Sequence, residues 1–407
     1  MKRIMPLFSL LFLLTSCSPN NPYEGKFSNE INILTSEDES KVVEQIISEY
    51  NSNHSEKIKY SITKVKSDEK NIDKLFDLNS FSLIYNYPSS YSAIDVSKYE
   101  PVSNDYVRDI KNNYPLASYD VDPSSDEIKI FPTELVSNYY LYYDTRYIKE
   151  ESKSLESVLN KAKSLNKEVI IPFLNSNFIN SFFMSKDTCG MDSMSYQISK
   201  EGNAIYNTNW DNENGVKLAS YLSSTINSLY NDGTLSVSSQ MIIDESSKDR
   251  CIAYIGGAHM YEYVKNIHKD FSITKLPSFS FDGKEAQMSS FSYSKGYVVN
   301  KNKSAEEIES AMALASLLTN EESQLKRFEI LGVTPTNKEA LKSKRYISKA
   351  NELNKAIELQ QEYSVSINKS VEERYWDVGK DIATHIFLND IEDWNYYLKT
   401  QMDSLRN

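Results

Sequence analysis

The sequence has few cysteines, glycines and histidines, and it lacks the short motifs that mark common catalytic sites. Three cysteines, 11 glycines and four histidines occur among 407 residues, and the histidines are scattered. There is no phosphate-binding loop, no His-Glu-x-x-His, no Gly-x-Ser-x-Gly and no cysteine pair at metal-ligand spacing. We therefore predict that the protein is not an enzyme and that it carries no cofactor and no catalytic metal.

The charge balance is acidic and both signs are mixed along the chain. Asp and Glu number 57 against 45 Lys and Arg, which gives a formal net charge of -12. Nucleic acids and anionic lipids require a basic patch, because their phosphate groups supply much of the binding energy. We expect no nucleic-acid partner.

The apolar run at the start of the chain is too short to cross a bilayer. Lys2 and Arg3 precede an apolar stretch at residues 6–14, and small residues then lead to Cys17. A membrane-spanning helix needs roughly 20 apolar residues. A basic segment, a short apolar run, small residues and a cysteine together resemble the bacterial lipoprotein signal. The alternative is an ordinary signal peptide with an incidental cysteine.

The lipoprotein resemblance implies a signal peptide at 1–16 and a lipid on Cys17, which becomes the first residue of the mature chain. Two or three acyl chains, such as palmitate, suffice for stable anchoring at the extracytoplasmic face of the cell membrane. Residues 17–30 are polar and show no helix or strand period, so we predict a flexible lipidated tether. Cys189 and Cys251 then remain, as one disulfide or as two buried thiols.

The remaining chain alternates between short apolar strands and amphipathic helices. Residues 31–34 have the pattern of a short strand, and residues 81–85 and 251–255 are apolar runs typical of buried strands. Segments with apolar residues at helical spacing follow or separate them. Such alternation predicts an α/β fold with parallel strands. A mature chain of this length exceeds one typical core, so two domains are expected.

A well-marked helix pair occurs late in the chain. Ser304 with Glu307 and Thr319 with Glu322 each have the spacing of a capping box, and Gly332 is placed to end the second helix. The two helices therefore should begin just after Ser304 and just after Thr319.

Three segments resemble bacterial extracellular solute-binding proteins of the maltose-binding type. They are residues 292–341, a strand followed by the helix pair; residues 133–165, a tyrosine-rich strand and a helix; and residues 248–264, a strand with a Gly-Gly turn. In that family two α/β lobes joined by a hinge hold a solute in a cleft. The closed form is presented to an ABC transporter permease.

The resemblance implies specific lobe boundaries. The first lobe would comprise residues 31–132 and 292–342, and the second lobe residues 133–291 and 343–407. A carbohydrate would be the solute, because sugar faces stack on aromatic rings and sugar hydroxyls bond to polar side chains.

In the first lobe the resemblance implies that polar residues at strand ends contact the ligand. Glu37 and Asp38 follow the first strand, although helix capping by Asp38 is an alternative. Asn86 and Tyr87 follow the strand at residues 81–85. At the start of the second lobe, Glu134 follows the strand before the crossover. For Glu134 a solvated surface position is an equally good interpretation.

In the second lobe the resemblance implies four further ligand contacts. Phe178 matches a family aromatic, with core packing as its alternative. His259 and Tyr261 follow the Gly-Gly turn, where the family commonly has Trp. Trp376 lies about 100° from the core face of its helix and is placed at the cleft edge. Trp210 and Trp394 have the character of packing residues.

Other functions remain open at this stage. The tyrosines of residues 138–143 could ligate ferric iron, although no cluster of His or Asp partners is evident. A peptide, a polyamine, or a role as adhesin or sensor are further alternatives. We predict a lipid-anchored solute-binding protein that captures a small sugar or oligosaccharide.

Overall fold

The computed structural model describes most of the chain. The described residues are 21–66, 75–86, 99–119, 121–122, 127–149, 154–198, 204–237, 249–366 and 373–406.

The strands of the described residues alternate with helices for most of the chain. In chain order they are β1 Ile31–Ser36, β2 Tyr60–Val65, β3 Leu83–Asn86, β4 Val121–Asp122, β5 Glu127–Ile128, β6 Phe131–Ser137, β7 Tyr140–Asp144, β8 Glu168–Ile171, β9 Met194–Ile198, β10 Ala204–Thr208, β11 Leu235–Val237, β12 Cys251–Gly256, β13 Phe271–Thr274, β14 Ser278–Phe281, β15 Lys284–Gln287, β16 Ser290–Val299 and β17 Ser364–Ser366.

The helices of the same residues are numbered likewise. They are α1 Glu37–Asn53, α2 Asn104–Asn113, α3 Leu155–Ser164, α4 Ser176–Phe183, α5 Glu213–Asn231, α6 Tyr261–Ile267, α7 Ala305–Thr319, α8 Glu321–Leu331, α9 Lys338–Lys342, α10 Lys344–Ile347, α11 Glu352–Gln361, α12 Glu373–Leu388 and α13 Trp394–Arg406.

Two large sheets organise the fold, as the alternating pattern predicts. The first sheet has the order β17-β16-β3-β1-β2, and β6 also pairs with β16. The second sheet has the order β11-β8-β12-β7-β13. Strands β1, β2 and β3 are parallel in the first sheet, as are β8, β11 and β12 in the second. The predicted α/β class with parallel strands is confirmed.

Each sheet has its own hydrophobic core. Members of the first core come from residues 23–131 and 297–318, and members of the second core from residues 139–291 and 365–405. Fully buried examples of the first core are Ile33, Val43, Leu83, Val298 and Leu314; examples of the second are Leu141, Val169, Trp210, Ile252 and Leu398. Two cores, each backed by a sheet, make a two-lobed molecule.

Strands β6 and β16 connect the two cores. They pair antiparallel, with Ser137 opposite Ser292 and Glu134 opposite Lys295. Tyr297 of β16 belongs to the first core, whereas Phe291 of the same strand belongs to the second. We call the paired residues 132–137 and 292–296 the crossing.

The residues that follow position 20 pack on the first lobe, which differs from the predicted tether. Tyr23 and Phe27 are buried in the first core. The backbone N–H groups of Gly25 and Phe27 donate to the carboxylate of Glu56 at 2.8 and 3.0 Å. The two aromatic side chains outweigh the polar residues around them, so this part of the predicted tether packs on the first lobe. Cys17 and the predicted signal peptide are outside the described residues.

The two later cysteines are free thiols. Cys189 packs against the second core, and Cys251 lies in a smaller cluster with Tyr142 and Tyr254 on the other face of the second sheet. Of the two alternatives, a disulfide is therefore wrong, because the sheet separates the two side chains.

Of the two predicted helix starts, the first agrees with the structure and the second differs by one residue. The capping box of Ser304 and Glu307 is present and starts α7. Helix α8 is instead capped by Asn320, whose side chain accepts a 2.9 Å hydrogen bond from the N–H of Ser323. The Thr319 hydroxyl donates to a carbonyl inside α7, so the second predicted capping box is wrong by one residue.

Candidate functional site

The parallel strands of the first sheet end on one edge. Strand β1 ends at Ser36, where α1 begins, and β3 ends at Asn86, which lies opposite Gly296 of the crossing. Ligands of α/β proteins bind beyond the carboxyl ends of parallel strands. We call this the first edge; it consists of the ends of β1 and β3 and the start of α1.

The second sheet presents a matching edge beside the other end of the crossing. Strands β8 and β12 end there, and Gly256 of β12 pairs with Tyr140, three residues after the crossing. The Tyr142 hydroxyl donates a 2.8 Å hydrogen bond to the carbonyl of Gly257. The second edge therefore consists of the ends of β8 and β12 and the residues that follow each of them.

The crossing has one buried face and one half-buried face. Leu135, Ser137, Ser292 and Ser294 are buried. Residues of the other face are only partly covered: Glu134, Val136, Tyr293 and Lys295. Because the crossing runs from the first edge to the second, its half-buried face forms the candidate floor of a cleft between the lobes.

An ion pair lies on this floor. Lys295 Nζ donates to Glu134 Oε2 at 2.7 Å, and the two side chains keep 29% and 20% of their surface exposed. The Thr133 hydroxyl donates to the carbonyl of Lys295 at 3.0 Å, and the Tyr85 and Thr133 hydroxyls are 3.3 Å apart. Burial by itself lowers the pKa of Lys295, but attraction to Glu134 outweighs it and raises the pKa above its usual value. The ammonium is therefore held in its charged form.

The sequence profile of a family described as bacterial extracellular solute-binding protein matches residues 59–355. The chain belongs to this family. Its members bind solutes and act outside the cytoplasm; they are not enzymes. No curated protein matches the sequence.

Solved structures show the same fold over nearly the whole chain. The maltodextrin-binding protein MalE1 from L. casei BL23 without ligand has a TM-score of 0.70 and 16% identity, covering 93% of this chain and 99% of its own. MalE from Listeria monocytogenes in complex with maltose has a TM-score of 0.66 and 14% identity, with coverage of 92% and 97%. An extracellular solute-binding protein from Staphylococcus aureus in complex with maltose has a TM-score of 0.65 and 14% identity, with coverage of 93% and 96%. The two-lobe fold predicted from the sequence is confirmed.

Glu37 and Asp38 of this solute-binding protein lie exposed on the first edge, in the first turn of α1. The cap of α1 is Ser36, whose hydroxyl accepts a 3.2 Å hydrogen bond from the N–H of Glu39. Capping by Asp38 is therefore not found; its carboxylate pairs with Lys41 at 2.9 Å. Both carboxylates are exposed on the first edge, and their predicted contact with ligand stays a prediction.

Glu39, which the sequence did not single out, is buried beneath the first edge. Its carboxylate accepts hydrogen bonds from Arg327 of α8, at 3.0 Å to Nε, and from the Tyr297 hydroxyl at 2.5 Å. Burial by itself lowers the pKa of Arg327, but the Glu39 carboxylate more than compensates and raises it. The sequence offered one signal for this buried pair, which is that Arg327 directly precedes the buried Phe328 in α8.

Asn86 and Tyr87 can be placed only in part. The backbone of Asn86 ends β3 on the first edge. Its side chain and the whole of Tyr87 are outside the described residues. Their predicted contact with ligand stays a prediction.

Phe178 lies in the second core rather than on the edge. It is fully buried, and its ring packs edge-to-face on Tyr139 at 5.2 Å and Phe182 at 5.7 Å. A side chain without exposed surface offers nothing to a ligand, so the core-packing alternative fits Phe178. The nearby Asn175, which caps α4 and accepts a hydrogen bond from the Tyr139 hydroxyl, is at the end of the same segment.

His259 and Tyr261 follow strand β12 on the second edge, as predicted. His259 is exposed, and its ring lies over Gly257, where a Cβ atom would come within 2.6 Å of the imidazole. Tyr261 is half-buried at the start of α6, and burial raises its pKa. A Cβ atom at Gly257 would also lie 3.5 Å from the carbonyl oxygen of Asn138, the residue after the crossing, and Tyr261 packs against the cluster of Tyr142 and Tyr254.

Trp376 is half-buried in the first turns of α12. Its ring contacts Phe291 edge-on at 5.8 Å and Tyr375 at 4.9 Å, so it lies beside the strand that enters the crossing. Gly379, one turn later, packs on the carbonyl of Ser176 at the start of α4. The indole is thus partly buried against the second core, and its predicted contact with ligand stays a prediction. Trp210 and Trp394 are buried packing residues, as predicted.

The tyrosines of the strand are divided between the two faces of the second sheet. Tyr139 packs into the second core, whereas Tyr142 stacks on Tyr254 at 4.6 Å on the other face of the sheet. Within the described ranges no three His, Cys, Asp or Glu residues lie close enough to hold a metal ion. Among the same residues, no helix has the length and apolar character to span a membrane.

A half-open cavity of about 580 Å³ lies on the first lobe, away from the crossing. Residues 100–107, Ile308 and Met312 are among its lining. None of the predicted ligand contacts lines it, so it is separate from the candidate cleft.

Proposed function

We propose that this protein captures a carbohydrate between its lobes and delivers it to an ABC transporter permease, while a lipid on Cys17 holds it at the outer face of the cell membrane. The observation that carries the proposal is the half-buried crossing, which joins two sheet edges that bear exposed acidic and aromatic side chains.

The chemistry of the two edges suits a sugar. The first edge offers carboxylates and the second edge offers rings, which is the combination that sugar hydroxyls and apolar sugar faces need. Solved structures of the same fold support this ligand class, because three of them contain bound maltose, maltotetraose or maltotriose.

We propose the following ligand contacts, taken from those predicted: Glu37, Asp38, Asn86, Tyr87, Glu134, His259, Tyr261 and Trp376. The lobe boundaries that we propose are residues 31–132 with 292–342, and residues 133–291 with 343–407. The distribution of the two cores along the chain supports these boundaries.

A thermal-shift screen tests the ligand class. Malto-oligosaccharides of two to four units should raise the melting temperature, since a ligand at 100 times its Kd adds about 2.7 kcal/mol. Spermidine, short peptides and ferric citrate should leave it unchanged. A shift with one of these three and none with any sugar would contradict the proposal.

Two tyrosines on helix α6 provide a matched test of the second edge. Tyr261→Ala should weaken sugar binding, measured by calorimetry, about two- to tenfold, as loss of a ring contact does. Tyr263→Ala on the same helix is the control, because Tyr263 is 50% exposed and lies outside the proposed site. Equal affinities of the two variants would remove Tyr261 from the site. Trp376→Ala is examined in the same way.

The anchor has its own test. Cys17→Ser should move the protein from the membrane fraction of whole cells to the soluble fraction without a change in sugar affinity. Retention of the variant on the membrane would contradict lipidation at Cys17.

A further inference from the structure

The ion pair of the crossing has bonding capacity that the described residues leave unused. An ammonium has three N–H donors, and each carboxylate oxygen accepts hydrogen bonds. Among the described residues the Lys295 ammonium has one partner, Glu134 Oε2. Donors of Lys295 and the second oxygen of Glu134 therefore stand side by side on a partly exposed floor, and they match two neighbouring hydroxyl groups of one ligand.

The floor carries no net charge. The positive charge of Lys295 is cancelled by Glu134, and Glu39 and Arg327 beneath the first edge cancel each other. The exposed carboxylates of Glu37 and Asp38 lie on the first edge, outside this floor, and Asp38 pairs there with Lys41. The other polar groups facing Lys295 are the phenols of Tyr85 and Tyr293, and burial raises the pKa of both, so they remain uncharged hydroxyls.

We propose that the Glu134–Lys295 pair selects uncharged polyhydroxyl ligands and rejects acidic and amino sugars. This inference rests on the proposed function and adds its specificity. A ligand carboxylate near the floor would face the carboxylate of Glu134, and a ligand ammonium would face Lys295. Either ligand would have to break the pair or bury an uncompensated charge, and both are costly. A neutral ligand uses donor and acceptor together and leaves the pair intact.

Calorimetry on the purified protein tests this selectivity with probes of equal length. Maltotriose, cellotriose and raffinose are the neutral trisaccharides, trigalacturonate is the acidic probe, and a glucosamine trimer is the basic probe. The protein should bind the best neutral probe at least about tenfold more tightly than either charged probe.

Two charge-removing variants should shift the selectivity in opposite directions. Glu134→Gln leaves an unpaired cation, so it should weaken the neutral probe about 10- to 100-fold and improve trigalacturonate relative to it. Lys295→Met leaves an unpaired anion and should improve the glucosamine trimer instead. Glu49→Gln is the control. Glu49 lies near the end of α1, where it pairs with Lys326 of α8, so removing its charge should not alter selectivity.

The outcomes separate this inference from the function on which it rests. Equal affinity for neutral and charged probes, or an unchanged preference in both folded variants, would overturn the selectivity while sugar binding stands. No binding of any probe would overturn the carbohydrate function and the selectivity together. Melting temperatures of the variants, compared with that of Glu49→Gln, show that each is folded, and a variant that is not folded is replaced by Glu134→Ala or Lys295→Gln, for which the same shifts are expected.

Discussion

At the scale of single residues, the buried ion pair of the first lobe is the most consequential polar feature. Glu39 and Arg327 are 2% and 1% exposed, and the Tyr297 hydroxyl completes the pairing. Within the described ranges each charge is compensated by the other, because both side chains are buried. The pair also fixes the first turn of α1, which carries the proposed contacts Glu37 and Asp38.

Glu39→Gln should therefore destabilise the protein strongly. The substitution leaves the Arg327 guanidinium buried without its counter-charge, and breaking such a pair costs about 3–5 kcal/mol. Urea unfolding of the variant measures this loss. Glu339→Gln is the matched control, because Glu339 forms an exposed pair with Lys342 and such pairs contribute under about 1 kcal/mol. A loss at Glu39 no greater than the control's would show that the pair is not buried in solution.

Cys251 should make stability fall as the solution becomes alkaline. Burial raises the pKa of its thiol from 9.0 to about 12, so the folded protein holds this proton while the unfolded chain releases it. The stabilising contribution is complete below the unfolded pKa and is lost as pH rises towards the folded pKa, at up to about 1.4 kcal/mol per pH unit. Unfolding free energies at pH 8 and pH 10 should thus differ more for the native sequence than for Cys251→Ala. Parallel pH dependence in the two proteins would refute the burial of this thiol.

The sequence indicated which residues lie near the edges of the two sheets. It did not indicate which side chains form ion pairs with one another. Glu37, Asp38, His259 and Tyr261 follow strands, and parallel strands bring their ends together whatever the rest of the fold does. Lys295 was not identified, because its contact with Glu134 depends on the register of strands 161 residues apart. Phe178 could not be separated from a ligand contact, since an aromatic residue after a strand has the same pattern in either role.

At the scale of helices and strands, local signals were reliable where one residue acts on its own helix. Gly332 ends α8 with φ 71°, the left-handed conformation that glycine adopts at helix ends. The start of α8 was predicted one residue early, because Thr319 and Asn320 are both good capping residues. Their choice was settled by packing: the Thr319 side chain is buried and bonds back into α7.

Asn320→Ala should cost about 1 kcal/mol of stability, because it removes the acceptor for the N–H of Ser323. Asn320→Ser should recover most of the loss, since serine caps helices equally well. Chemical denaturation of both variants makes the comparison. If the alanine variant matches the native protein in stability, the cap does not contribute and α8 starts elsewhere.

At the scale of the whole molecule, alternation of strands and helices predicted the α/β class but not the path of the chain between the lobes. The crossing depends on pairing between residues 132–137 and residues 292–296, and no local pattern records such a distant partner. The position of Val365 could not be predicted from a local pattern either. Its strand β17 pairs with β16 of the first sheet, whereas the Val365 side chain packs in the second core. The resemblance to a two-lobed family supplied what periodicity alone could not.

A cleft floored by two strands should close when a ligand fills it. A ligand that contacts both edges stabilises the conformation in which the two edges lie close together. The crossing joins the lobes, so it is the segment that must bend. Small-angle X-ray scattering should show a smaller radius of gyration at a saturating concentration of the sugar with the largest thermal shift. A sugar without a thermal shift is the control and should leave the scattering unchanged.

Because the two cores are separate, each lobe should move as a rigid body, so the circular dichroism spectrum should stay the same on binding. An unchanged radius of gyration with bound sugar would mean that the lobes are fixed and that the ligand contacts one edge alone.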